Sequence, residues 1–412
     1  MVSNGTNAAA TVLAARELTP VGFGAFAATV VSFTITVGGA RALALEAALV
    51  RGQESGRRLM ADLSSAVTAF VPVPVVVLLG AGALVGGSVG ACLVAFAACL
   101  PGLVLQDAWR YASFTGRRPR AAFASDVAWL VGMVASFGAL TAVRGEIRPE
   151  WTVLAWAGPG AVLGMGTVAV QRLRLSARVG VWWIRANLDL GGRYLVDFIG
   201  TLGIAQVALY ALVLISGIAA LGGVRAGYAL FGPLQVLYVS VMVTLVPDGR
   251  RLALRSSRRL VEVLVVTSVI LLLVTVAIGV VLSLRAFDPV GELLFGATWP
   301  SARDLVVPVC AQTCAGAVLA GPTMGLRALE EAAVLLRIRL YSAAPTLVLA
   351  CLGAVLGEAP GMVYGLTVGS AGSAAWHWVA LRSALARPTV PVAAEGPLGP
   401  PVVRRRGARV RH

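Results

Sequence analysis

Lysine is missing from this 412-residue chain: all 34 of its basic side chains are arginine, against 19 acidic ones. Histidine occurs only at His377 and His412, and charged residues fill 13% of positions while apolar residues fill 58%. So little charge excludes a water-soluble globular protein of this length, which needs a polar surface around its core. The five cysteines, Cys92, Cys99, Cys310, Cys314 and Cys351, fall inside apolar runs and show no metal-site spacing with histidine. That excludes a metal centre, and no cofactor is expected. Abundant alanine, valine, glycine and leucine without lysine point to a GC-rich bacterial genome, in which the sequon at Asn4-Gly-Thr6 carries no weight.

What the chain has is long apolar runs, with a mean hydropathy of +0.85. A helix crossing about 30 Å of hydrocarbon takes roughly 20 such residues. Runs bounded by arginine, glycine and proline predict spans near 21–48, 64–84, 87–107, 122–143, 152–171, 197–219, 225–247, 260–284, 304–326, 333–356 and 361–381. A twelfth, over Asn7 to Ala15, is about half long enough. It lacks the basic leader and small-residue cleavage site of a signal peptide, so it is expected to be a first helix with its beginning missing.

Arginine-rich short loops stay in the cytoplasm during insertion. With the N-terminus inside, the inner loops and the tail hold 27 of the 34 arginines and the outer loops six: Arg16, Arg144, Arg148, Arg225, Arg285 and Arg303. Arg41 is left inside a span. Both termini are therefore expected in the cytoplasm. The net charge of +15 is read as contact with anionic membrane lipids, not nucleic acid. Arg110, Arg118, Arg193 and Arg250 are the inner-loop positions expected to attract an anionic headgroup. The tail over 387–412, rich in proline and glycine and ending in an arginine cluster, is expected to be disordered near the membrane surface.

The chain also carries an internal repeat. Pro20-Val21-Gly22-Phe23-Gly24-Ala25-Phe26-Ala27 opens the first long span, and Gly223-Val224-Arg225-Ala226-Gly227-Tyr228-Ala229-Leu230 is read as opening its counterpart, at an offset near 203. Both spans end in basic turns containing a Gly-Arg-Arg-Leu sequence, at Gly56 and Gly249. The expected organisation is a six-helix lobe over 1–171, a basic linker over 172–196, a second six-helix lobe over 197–386, and the tail. The fold class is all-α integral membrane, about twelve helices in two pseudo-repeated lobes.

The segment Leu13-Ala-Ala-Arg16-Glu-Leu18-Thr-Pro20-Val-Gly22-Phe23-Gly24 resembles the opening motif of polysaccharide flippases of the Wzx and O-antigen type, where an Ala-Arg-x-Leu turn precedes a proline and an aromatic-glycine pair. Leu294-Phe295-Gly296, before the tenth helix, is similar to another segment of that family. The resemblance implies the fold of the multidrug/oligosaccharidyl-lipid/polysaccharide exporter superfamily, two lobes around a central cavity that work by alternating access. The substrate it implies is a polyprenyl-pyrophosphate-linked oligosaccharide, and envelope glycan-synthesis proteins are implied partners. No covalent chemistry follows, so no enzyme is expected.

Charges inside spans are costly and mark candidate transport residues. Arg41 leads, about two turns from the inner end of its helix, with Glu46 five residues on and about 140° around a regular helix. Asp126 and Asp197 enter their helices from the inner side, Asp197 one turn after Arg193. Gln206, Gln235, Gln312 and Thr313 are uncharged polar groups suited either to sugar hydroxyls or to bonds between helices. His377, between Trp376 and Trp378, reads as part of an interfacial aromatic belt. Pro308 and the Gly321-Pro322 pair are candidate hinges.

Three rivals remain open. An ion-coupled multidrug antiporter is expected to bury a carboxylate near mid-membrane, whereas every acidic residue here falls toward a span end or in a loop. A membrane glycosyltransferase needs a larger catalytic loop than the 20 or so residues around Asp288 and Glu292. A non-transporting scaffold of an envelope-synthesis complex leaves no signature.

Overall fold

The structure, a computed structural model, describes residues 2–50, 56–142 and 147–386, so the expected disordered tail lies outside the described residues. All regular structure among them is helical. The first lobe contains α1 (Val2–Glu17), α2 (Pro20–Leu49), α3 (Arg57–Val85), α4 (Gly87–Thr115), α5 (Pro119–Ala142) and α6 (Pro149–Val170). A ten-residue amphipathic helix, α7 (Ala177–Ala186), packs on α3. The second lobe holds α8 over 188–216, α9 (Ile218–Leu230) and α10 (Gly232–Arg255), which share one path bent at Phe231, and α11 (Ser257–Ser283). Short α12 (Asp288–Phe295) and α13 (Trp299–Asp304) lead into α14 (Val306–Ala328). A final stretch over 332–385 is two helices, α15 and α16, broken at Gly357 and Glu358.

Among the described residues, eight stretches are long and apolar enough to cross a bilayer, and the last makes two passes. With α1, α8 and the bent α9–α10 path the described residues make twelve passes, and the chain is a multi-pass membrane protein. Element ends follow local chemistry. Pro20 starts α2 after Thr19, whose hydroxyl accepts the Gly22 N–H at 3.2 Å. Gly86 and Gly217 turn the chain with φ of +65° and +85°.

Lipid gives no hydrophobic drive between helices, so close contact depends on small residues. A Cβ on Gly164 of α6 would lie 1.9 Å from the Gly102 carbonyl of α4, and these two helices are in extensive contact. Beside that contact Trp156 is fully buried, with the rings of Phe33 and Phe26 edge-on at 5.2 and 5.7 Å.

The lobes meet along α2 and α9. A Cβ on Gly24 would fall 2.1 Å from the Ile218 carbonyl, and one on Gly222 would press on the Gly24 backbone. These are the equivalent helices of the internal repeat, but the counterpart opens at Ile218, not Gly223. Gly217 makes the turn, so the apolar run after it belongs to the new helix. Arg225 is therefore inside a helix and not in a loop, contrary to the arginine count. Farther along the seam the two resembling motifs touch: Thr298 Oγ1 donates to the Ala15 carbonyl at 3.3 Å, and a Cβ on Gly296 would meet the Arg16 carbonyl at 3.0 Å.

Candidate functional site: an unpaired arginine between the lobes

A cavity of about 650 Å³ lies between α1 of the first lobe and α9–α10 of the second. Arg225 lines it. Seven residues into α9, it stands about 10 Å from the helix start. Its Nε is buried without a hydrogen-bond partner, and no ion pair to a carboxylate is formed by it among the described residues. One turn on, Tyr228 donates its hydroxyl to Gln312 Oε1 of α14. Asn7 and Thr11 face the cavity from α1. Trp156 Nε1 donates to Asn7 Oδ1 at 3.0 Å, and Thr11 donates to the Asn7 carbonyl at 2.8 Å. Gln235 completes the wall from α10. A guanidinium with free donors, ringed by amide and hydroxyl groups, is suited to an oxyanion carrying hydroxyls.

Arg41 is held differently. The α2 backbone opens into a π-helical turn over Arg41–Leu45, with the Glu46 N–H bonded to the Arg41 carbonyl. Such turns gather at functional sites, and this one removes the 3.6-residue geometry on which the 140° separation rested. Arg41 Nε and Nη2 donate to the Asp107 carboxylate at 2.6 and 2.9 Å. Arg110 Nη1 donates to the same carboxylate at 2.8 Å, and its Nε lies 2.8 Å from Asp126 Oδ1, off the line of a hydrogen bond. Asp107 and Asp126 are buried, while 31% of the Arg41 side chain is exposed.

This cluster corrects two expectations. Arg110 is buried and paired, not a loop charge open to headgroups, because α4 runs to Thr115, beyond the end near 107 that hydropathy suggested. Asp107 therefore lies about two turns inside a helix, so the acidic residues are not all at span ends. The other polar candidates are dispersed. Asp197 bonds to Arg339 of α15, Thr313 Oγ1 turns back to the Val309 carbonyl at 2.8 Å, and Gln206 is half-buried on α8. Arg118 and Arg193 are exposed, and the Arg250 side chain lies outside the described residues.

His377 is 1% exposed, with Nδ1 2.7 Å from the Ser373 carbonyl. It packs inside the lobe and is not an interfacial anchor. Trp376, half exposed, stacks on Tyr341. Pro308 falls in the first turn of α14, where its missing N–H costs no bond. The Gly321 N–H donates to Ser268 Oγ of α11 at 3.1 Å, immediately before Pro322.

The residues missed in the sequence were Asp107, Arg225, Tyr228 and Asn7. A bidentate carboxylate for Arg41 was the signal for Asp107, since a buried guanidinium requires one. The Gly217-Ile218 boundary was the signal for Arg225.

No protein-family model and no curated protein matches the sequence. Solved structures do match its fold. The lipid II flippase MurJ in an inward closed conformation superposes with a TM-score of 0.69 at 10% identity, covering 92% of this chain and 86% of that one. The inward-facing conformation of a multidrug resistance MATE family transporter of the MOP superfamily superposes at 0.64 and 11% identity, covering 93% and 94%. A MATE structure in complex with MaL6 gives 0.55 at 12% identity, covering 93% and 92%. The chain has the twelve-helix fold shared by these transporters.

Proposed function

We propose that the chain flips a polyprenyl-pyrophosphate-linked oligosaccharide from the cytoplasmic to the outer leaflet of a bacterial cytoplasmic membrane, for polysaccharide export. The lobes rock about the α2–α9 seam, and the arginine-rich end faces the cytoplasm. The observation that carries the reading is Arg225. An unpaired guanidinium at this depth is costly, and an anionic occupant of the cavity offsets that cost in the loaded state. Tyr228, Gln235, Asn7 and Thr11 are placed to bond sugar hydroxyls around it, while the prenyl chain stays in lipid. Arg41, exposed on one face of its pair with Asp107, extends the positive path toward the cytoplasmic end.

The multidrug antiporter reading has one observation in its favour, the buried carboxylates Asp107 and Asp126. Both lie against arginine, so neither is a free proton or sodium acceptor. The flippase reading also stands ahead of a non-transporting scaffold, which has no use for an unpaired charge in a cavity. A scaffold or a flippase alike leaves room for envelope glycan-synthesis partners.

The test is headgroup accessibility of a fluorescent lipid-linked oligosaccharide in proteoliposomes, comparing wild type, Arg225→Ala and empty vesicles. A charge-assisted hydrogen bond contributes about 1.5–3 kcal/mol, so Arg225→Ala is expected to slow translocation roughly 10- to 100-fold. No translocation by wild type, together with ion-driven efflux of a cationic dye, would establish the antiporter instead.

A further inference from the structure

A second cavity, of about 620 Å³, opens at the arginine-rich end of the first lobe, against α4 and α6. Three elements deliver one arginine each to it: Arg57 from the start of α3, Arg118 from the α4–α5 turn and Arg172 from the end of α6. Arg57 Nη2 donates to the Arg172 carbonyl at 3.0 Å, which ties two of the three walls together. None of the three forms an ion pair with a carboxylate among the described residues, whereas Arg41, Arg110 and Arg339 in the interior all do. Helix C-termini account for only part of this charge. The ends of α4 and α6 bring roughly half a negative charge each, against three positive side chains.

Arg172 also occupies the position after its helix where the backbone turns left-handed, with φ of +49°. Its N–H reaches the Ala169 carbonyl and that of Leu173 the Val168 carbonyl, the cap in which glycine is the usual residue. An arginine there keeps a side chain that the fold itself does not favour. The remaining wall is mixed. Ser113 and Gln171 supply polar groups, Trp109 an aromatic face, and Val170, 84% exposed at the end of α6, an apolar edge.

We infer that this cavity is a phosphate site and that its occupant is the headgroup of an anionic phospholipid. Three guanidiniums without a carboxylate partner match phosphate oxygens, and the open apolar edge at Val170 lets acyl chains run down the outside of α6. A soluble phosphate compound uses the same arginines but has no use for that edge.

The experiment is native mass spectrometry of the full chain in detergent, with cardiolipin, phosphatidylglycerol or phosphatidylcholine added, and with inorganic pyrophosphate in a separate arm. Wild type, R57Q/R118Q/R172Q and a control, R258Q, whose arginine pairs with Glu262 elsewhere, are compared. Wild type and R258Q are expected to retain the anionic lipids at least 10-fold more than phosphatidylcholine, and the triple variant to lose that preference. Equal retention by the triple variant overturns the site. Pyrophosphate binding lost in the triple variant, without lipid preference in wild type, overturns the lipid assignment. If the triple variant does not fold, R118Q alone serves, because Arg118 is exposed and only its backbone takes part in the turn; unchanged lipid retention in R118Q overturns the inference.

Discussion

Asp107 and Arg225 are opposite solutions to one problem, the cost of a charge inside a membrane protein. Asp107 accepts from two guanidiniums at once, so its neutralisation leaves Arg41 stranded and Arg110 with Asp126 alone. Asp107→Asn is expected to lower stability by about 3–5 kcal/mol, read as a fall in unfolding temperature in detergent, and adding Arg41→Met should recover part of the loss by removing one stranded charge. An unchanged unfolding temperature in Asp107→Asn would show that the network contributes nothing to the fold. Arg225 has no such partner. Arg225→Met is therefore expected to be at least as stable as wild type while losing translocation, the signature of a residue kept for its ligand at a cost to the fold. A strong loss of stability in Arg225→Met would make it a structural residue and withdraw the functional assignment.

At the scale of elements, the seam between α2 and α9 is built on absent side chains. The 2.1 Å approach of a Cβ on Gly24 to the Ile218 carbonyl leaves no room for any other residue without separating the helices. Gly24→Val is thus expected to open this end of the molecule, and a cysteine at Ile218 should react several-fold faster with a membrane-impermeant maleimide in that background. Equal reactivity would mean that the lobes are held together elsewhere. The same contact explains why the repeat was legible only roughly. Gly22, Gly24, Gly222 and Gly223 are evident in the chain, but which glycine ends a turn and which opens a contact depends on Gly217, whose positive φ no composition reveals. The C-terminal end of α4 was misplaced for a related reason: hydropathy falls at Asp107, yet the helix continues because Arg41 and Arg110 neutralise that carboxylate within the lobe.

For the whole molecule, the arginine distribution makes a topological prediction. Gly86, in the α3–α4 turn, and Glu358, in the α15–α16 turn, lie at the arginine-poor end; Arg117 and Glu330 lie in turns at the other. Single cysteines at the first two positions are expected to label with an impermeant reagent on intact cells, and those at the last two only after the membrane is opened. The reverse pattern would invert the protein and with it the direction of transport proposed above.

The number of passes, the all-helical membrane class and the grouping of charge at one end followed from the sequence by itself, because each rests on local composition summed over twenty residues or on loop charge. Which charges are paired and which are free was decided only by the tertiary structure. Arg41 and Arg225 look alike as lone arginines among apolar neighbours. One meets a carboxylate 66 residues away on α4, and the other faces a cavity that exists only where two lobes come together. Pairing and cavity both depend on distances between helices, and the packing of small residues sets those distances.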